Sequence, residues 1–256
     1  MDLLELIIEF HKDNERQGPG SDEATLKALS YIPLLNEKTK ILDIGCGTGG
    51  QTITLAKNTA AQITAVDMLP QFLETLMKKA KENNLLDRIT AKEMLMDNLT
   101  FDKNSFDVIW SEGAIYNIGF EKGLSLWRNY LKDNGYIAVS EISWLIDTRP
   151  EEIQRYWVNA YPEIDTIDNK LSVIEKCGYT SVVHFALDDK CWKDNYYQPI
   201  LEKSEEFLKK YNYADEVKEF VEAGKPLLLT HHFQLQPCID FYIAKLLSQY
   251  KVLYIK

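Results

Sequence analysis

The stretch that most limits what this chain can fold into is residues 41–50, ILDIGCGTGG. Ile41, Leu42 and Ile44 flank Asp43 in a short apolar run suited to a strand buried on both faces of a parallel sheet. Gly45, Gly47, Gly49 and Gly50 then crowd a turn, and residues 51–56 continue with helix-compatible apolar spacing. Strand, glycine turn and helix in succession make a nucleotide-binding unit. Glycine admits positive φ and lets a ligand lie against bare backbone. The helix start presents unpaired N–H groups and the positive end of the helix dipole. Gly45, Gly47 and Gly50 also satisfy G-x-G-x-x-G, so a dinucleotide-dependent dehydrogenase is open at this point.

The flanking residues extend the unit. Residues 62–67, QITAVD, predict a second strand closed by an acid. Asp67 stands about 20 residues beyond the first glycine, where a βαβ unit places a carboxylate on ribose hydroxyls. Residues 71–83 predict a helix, with Phe72, Leu73, Leu76, Met77 and Ala80 on one face. Strands are expected at 88–94, 106–110 and 135–141, with a helix over 123–131. This alternation is that of a doubly wound, Rossmann-like α/β sheet with helices on both faces. Its ligand belongs at the carboxyl ends of the strands, near Asp43, Asp67, Glu112 and Glu141.

Before the sheet, residues 1–15 carry a helical stripe of Leu3, Leu4, Ile7 and Ile8 that stops at RQGPGS, residues 16–21. Ser21 or Asp22 caps the next helix. This arm either covers a site or packs on the sheet. After residue 141 the pattern changes. Trp144, Tyr156, Trp157 and Tyr161, then Trp192, Tyr196 and Tyr197, make the segment rich in aromatic rings. The spacing predicts a helix over 166–177, a strand over 180–187, and helix in two pieces over 191–236, broken at 224–226. A further helix is expected at 237–248 and a last strand at 251–255.

Composition narrows the function classes. At 256 residues and 45% hydrophobic content, the chain fits one large domain. We expect an N-terminal helical arm over 1–35 and a cofactor-binding core over 36–142. Cap and substrate segments then follow over 143–250, with the last strand in 251–256. A net charge of −10 repels phosphate backbones, which disfavours nucleic acid as a partner. The four cysteines are widely spaced, with no C-x-x-C pair, which suggests a reducing cytoplasm. No apolar run reaches the roughly 18 residues of a membrane span. Adjacent His231 and His232 point in different directions in helix or strand and have no evident third ligand, so no metal is expected.

The stretch ILDIGCGTGG, Asp67 after the second strand, and DNLTFDKNSFDVIWSEGAIYNI at residues 97–118 together resemble the class I S-adenosylmethionine-dependent methyltransferases. The small-molecule branch that includes ubiquinone/menaquinone-type enzymes is the nearest likeness, over residues 16–146. The resemblance implies a seven-stranded sheet whose last strand is antiparallel, with a helical cap inserted around the last strands. It implies S-adenosylmethionine as cofactor and S-adenosylhomocysteine as product. Asp43, two residues before the first glycine, would support the methionine end and separates this reading from the dehydrogenase. Gly45, Gly47 and Thr48 would lie against the amino-acid portion, and Gln51 opens the helix beyond. Asp67 would take both ribose hydroxyls, with Met68 against the adenine. Leu95, Met96 and Asp97 would flank the adenine. Many relatives have Asp or Ser where Leu95 stands, so the adenine amino group would need backbone or Asp97 instead. Ser111 and Glu112 would end the fourth strand beside the transferred methyl. Arg16, Gly18 and Ser21 would close over the cofactor, Arg16 pairing with its carboxylate.

Glu112, Tyr116 and Glu141 are the candidates for catalysis, Glu112 acting either as a base or only to orient a ligand; His184 is a weaker candidate for a base. The aromatic residues after 141 either wall a pocket for a flat or cationic acceptor or pack a helical cap. Residues 111–114, SEGA, replace the N/D-P-P-Y/F motif of nucleic-acid amino-methylases. The expected function is methyl transfer to a small-molecule acceptor. The alternatives are an S-adenosylmethionine-binding module without catalysis and a NAD-dependent oxidoreductase.

Overall fold

Strand β1 (Lys40–Ile44) is flanked on both sides, which is why its Ile41, Leu42, Asp43 and Ile44 are all buried. On one side it pairs in parallel with β2 (Gln62–Asp67), which pairs with β3 (Ile89–Glu93). On the other it pairs with β4 (Phe106–Ser111), which pairs with β5 (Leu131–Trp144). The computed structural model describes residues 2–33, 35–224 and 238–246. The sheet continues through β8 (Cys238–Leu246) to β7 (Tyr179–Ala186), in the order β3-β2-β1-β4-β5-β8-β7. β8 runs antiparallel to both its neighbours. A two-residue strand, β6 (Asp165–Thr166), adds to the end of β5. The expected Rossmann-like sheet is present, and β8, the last strand among the described residues, is antiparallel.

Helices α3 (Gly50–Asn58), α4 (Pro70–Glu82) and α5 (Phe120–Trp127) make the crossovers between the parallel strands. The arm holds α1 (Leu3–His11), opened by a capping box between Asp2 and Glu5, and α2 (Asp22–Leu29), capped by Ser21. The cap comprises α6 (Glu151–Ala160), α7 (Ile167–Lys176), α8 (Asp189–Trp192), α9 (Gln198–Lys210) and α10 (Asp215–Gly224). A π-helical turn over 193–197 joins α8 to α9.

Two apolar clusters cover the two sheet faces. One gathers α2, α3 and α4 side chains with Trp110, Ile243 and rings of the cap. The other sets Trp127, Phe120 and Leu124 against Leu42, Ile109 and Val139. A third cluster lies off the sheet, where Leu6 and Phe10 of α1 pack on Ile200 and Phe207 of α9 and Val217 and Val221 of α10.

Two expectations about elements are corrected. Residues 238–246 form a strand, not part of a helix over 237–248. Phe241, Tyr242 and Ile243 are β-branched or aromatic, and their successive burial removed the alternation that marks a strand. The two long cap helices part at 211–214, where Asn212 and Tyr213 take positive φ. The break expected at 224–226 lies largely outside the described residues, as do His231, His232 and the strand expected at 251–255.

Candidate active site

The carboxyl ends of β1, β2 and β4 open on a cavity of about 450 Å³. Its floor is the glycine turn. Gly45 and Gly47 have φ of +71° and +54°. A Cβ at Gly45 would lie 2.5 Å from Ala114 Cβ, and one at Gly47 would lie 2.1 Å from Gln17 Oε1. Both positions therefore need glycine for conformation, and Gly45 for room as well.

Asp67 closes β2 and turns its carboxylate back on this turn. Oδ2 accepts from the Gly47 N–H at 2.8 Å and Oδ1 from the Leu69 N–H at 3.0 Å. Each oxygen keeps a lone pair for a further donor. Burial raises the Asp67 pKa, and the backbone N–H groups pull it back. Beside it the wall is apolar: Met68, Leu69, Phe72, Met94, Leu95 and Met96, with Leu4 and Ile7 of the arm opposite. The Met96 carbonyl is fixed by the Trp127 Nε1–H at 2.8 Å. Asp97, also on this wall, pairs with Lys122 at 3.2 Å.

The arm is tied across the cavity by two polar residues. Arg16 Nη1 reaches Glu112 Oε2 at 2.9 Å, and its Nη2 reaches Asp22 Oδ1 at 3.0 Å. Glu112 Oε1 accepts from the Thr25 hydroxyl at 2.7 Å and from the Trp110 Nε1–H at 2.9 Å. Both Glu112 oxygens are thus engaged, and the carboxylate anchors the arm through Arg16. Gln17 sits directly on the glycine turn, accepting the Thr48 N–H at 2.8 Å and donating to Thr48 Oγ1 at 3.0 Å.

A second cavity of about 290 Å³ adjoins the first through Gln17, Gly18, Pro19, Gly113 and Tyr116, which face both. Tyr156, Trp157, Tyr161, Trp192, Tyr196 and Tyr197 wall it. Edge-to-face contacts between Tyr116 and Tyr161, and between Trp157 and Trp192, hold the rings at steep angles. Burial holds the phenols protonated: Tyr196 is pushed up to about 12, and Tyr161 and Tyr197 also rise.

Of the residues singled out in the sequence, Arg16, Gly18, Gly45, Gly47, Gln51, Asp67, Met68, Leu95, Met96, Asp97, Glu112 and Tyr116 line the first cavity. Five others line neither cavity. Asp43 is fully buried, accepting from Thr52 Oγ1 at 2.5 Å and Gln51 Nε2 at 3.3 Å, and burial pushes its pKa up to about 7. Thr48 is buried under Gln17, and Ser21 caps α2. The Ser111 hydroxyl donates to the Ile44 carbonyl at 2.8 Å, stitching β4 to β1. Glu141 is buried beneath the second cavity, where Oε1 accepts from Lys170 Nζ at 2.6 Å and from the Tyr161 hydroxyl at 2.5 Å. Burial raises the Glu141 pKa, and Lys170 opposes the rise. His184 pairs with Asp240 at 2.9 Å and lines neither cavity. Sequence reasoning missed Gln17, Thr25, Phe72 and Lys170. Gln17, lying within the RQGPGS break, carried the one available signal, since a polar residue there meets the glycine turn.

Among the described residues, no cluster of three His, Cys, Asp or Glu side chains could hold a metal ion. No helix among them is long and apolar enough to cross a membrane.

Residues 41–135 match the family described as "Methyltransferase domain". The chain is 27% identical to the phosphoethanolamine N-methyltransferase of Plasmodium falciparum, over 80% of this chain and 78% of that protein. It is 31% identical to a ubiquinone/menaquinone biosynthesis C-methyltransferase of Citrifermentans bemidjiense, over 43% of this chain and 48% of that one. It therefore spans only about half of the second relative. An S-adenosylmethionine-dependent methyltransferase of Geobacter sulfurreducens, solved with S-adenosylhomocysteine, superposes with a TM-score of 0.82 at 18% identity, covering 95% of this chain and 98% of that one. With its glycine turn, acid-tipped β2 and antiparallel β8, the chain carries a methyltransferase domain over residues 41–135 and is similar to the class I S-adenosylmethionine-dependent methyltransferases.

Proposed function

We propose that this protein transfers a methyl group from S-adenosylmethionine, held in the first cavity, to a small-molecule acceptor held in the second. The observation that carries this reading is the shared wall of Gln17, Gly18, Pro19, Gly113 and Tyr116 between the two cavities. A donor on one side and an acceptor on the other meet across it. The bound cofactor supplies an activated methyl on a sulfonium. The residues fit such a ligand: a cradle where a Cβ would clash, a ribose-directed carboxylate at Asp67, and an apolar slot at Met68, Leu95 and Met96.

The chain's own contribution is alignment and exclusion of water. Gly45, Gly47 and Gln51 receive the amino-acid end, with Asp43 beneath, orienting Gln51. Arg16, held by Glu112, offers its guanidinium to the carboxylate. Thr48, Ser111 and Ser21 support these groups from behind. Holding reactants in line contributes up to roughly 7–11 kcal/mol in favourable cases. Tyr116, at the shared wall, stands beside the transfer path. Glu112 and Glu141, each ion-paired, position their neighbours and do not take a proton. We assign the molecule to one domain that works in the cytoplasm, with arm, core and cap as its parts. Calorimetric titration tests the base of this reading. S-adenosylhomocysteine should bind the purified chain with 1:1 stoichiometry, and absence of binding by it and by S-adenosylmethionine would sink the assignment.

A further inference from the structure

Resting on the two-cavity reading above, we infer that the acceptor is an organic amine without an anionic group, methylated on nitrogen with no protein base. Three observations support this. First, among the described residues no Lys, Arg, His, Asp or Glu lines the second cavity. A phosphate or carboxylate on the acceptor would lack a cationic partner there, and burying an unpaired charge is costly. The Arg16 guanidinium lines the first cavity and is shared there between Glu112 and Asp22.

Second, the walls are aromatic. Tyr156, Trp157, Tyr161 and Trp192 present π-systems whose negative faces attract cations. Third, no group able to accept a proton at neutral pH faces this cavity. Its buried phenols are held protonated, Ser140 Oγ accepts from the Gly113 N–H at 2.8 Å, and Glu141 sits behind Tyr161 in its pair with Lys170.

These features match the charge flow of amine methylation. The lone pair of the nitrogen, which enters the cavity unprotonated, forms the new N–C bond as the methyl–sulfur bond breaks, and that bonding pair goes to sulfur. The positive charge passes from sulfur to nitrogen, into the ring-walled cavity. Any N–H proton then leaves to solvent with the product. A phenol or alcohol would need its proton removed during transfer, and the cavity offers no group for that.

The test uses the full chain saturated with S-adenosylhomocysteine and two matched probes, phenethyltrimethylammonium and phenethyl phosphate, titrated by calorimetry. The ammonium should bind and the phosphate should not. Tyr156 is 42% exposed, so Tyr156→Leu should fold. This substitution should weaken the ammonium roughly 3- to 30-fold, as loss of one cation–ring contact predicts. Tyr156→Phe, which keeps the ring, should bind as the parent does. Phosphate binding equal to or tighter than the ammonium would overturn the inference. So would ammonium binding unchanged in both Tyr156→Leu and Tyr196→Leu, or no ammonium binding at all. Failure of S-adenosylhomocysteine to bind would instead strike the methyltransferase reading beneath it.

Discussion

The two cavities meet at a shared wall, yet they are built from opposite materials. In the first, polar groups face the space: the Asp67 carboxylate, the Arg16 guanidinium and the bare backbone of Gly45 and Gly47. In the second, charge stands behind the wall, in the Glu141–Lys170 pair, and rings face the space. A charged methyl donor can be held by fixed dipoles and ions. A wall of neutral rings selects by shape and by tolerance of positive charge. Under the two-cavity proposal, donor recognition and acceptor choice rest on different residues away from the shared wall and should fail separately.

The largest effect should come from Lys170→Met. It strands a buried carboxylate, and removing one partner of a buried pair costs about 3–5 kcal/mol. Denaturant melts should show this loss, while S-adenosylhomocysteine affinity of the folded fraction stays within a few-fold. A tenfold fall in that affinity would mean the two regions are not separable. Next, Asp67→Ala should weaken S-adenosylhomocysteine about 100-fold by calorimetry, as loss of charged hydrogen bonds worth roughly 3 kcal/mol implies. Parent-like affinity would remove Asp67 from the ligand wall.

A smaller effect concerns pH. Burial raises Asp43 to about 7 in the folded chain, above its unfolded value. The folded state then binds more protons than the unfolded state between these limits, so this contribution to stability is fully present in acid and is lost as pH rises towards 7. Compared with the parent, Asp43→Asn should therefore lose less stability between pH 5 and 7. An identical slope in the two proteins would show that Asp43 is already ionised in the fold. The smallest effect is Gln17→Ala. It removes the arm's hydrogen bonds to Thr48, at a cost of about 0.5–1.5 kcal/mol, or a few degrees in Tm. A larger fall would show that the arm supports the whole sheet and is more than a roof over the turn.

The cofactor half was legible in the sequence because its constraints are local. The Gly45–Gly47 turn needs positive φ, and Asp67 closes its own strand, so residue type and spacing carry the information. The family resemblance also marks Asp43, Thr48 and Ser111, yet they face inward. A motif marks which residues build a site but not which side of the backbone they occupy. The aromatic half was less legible because its contacts span the chain: Glu141 meets Lys170 through a helix that gives no hint of it. β8 read as a helix because a strand buried on both faces carries no period of two.

The cluster between α1 and the last cap helices has a consequence for how the protein is made. Leu6 and Phe10 leave the ribosome first, but their partners include Val217 and Val221, near the far end of the described chain. At roughly 5–20 residues per second, about 10–40 s separate the two ends. Strands β1 to β5 can pair within that interval, because their partners lie among the first 144 residues. For that period the nascent sheet has its glycine turn and Asp67 in place under an undocked arm. A cofactor molecule could settle on the turn before the roof exists, and such early binding would favour the compact form over the open chain.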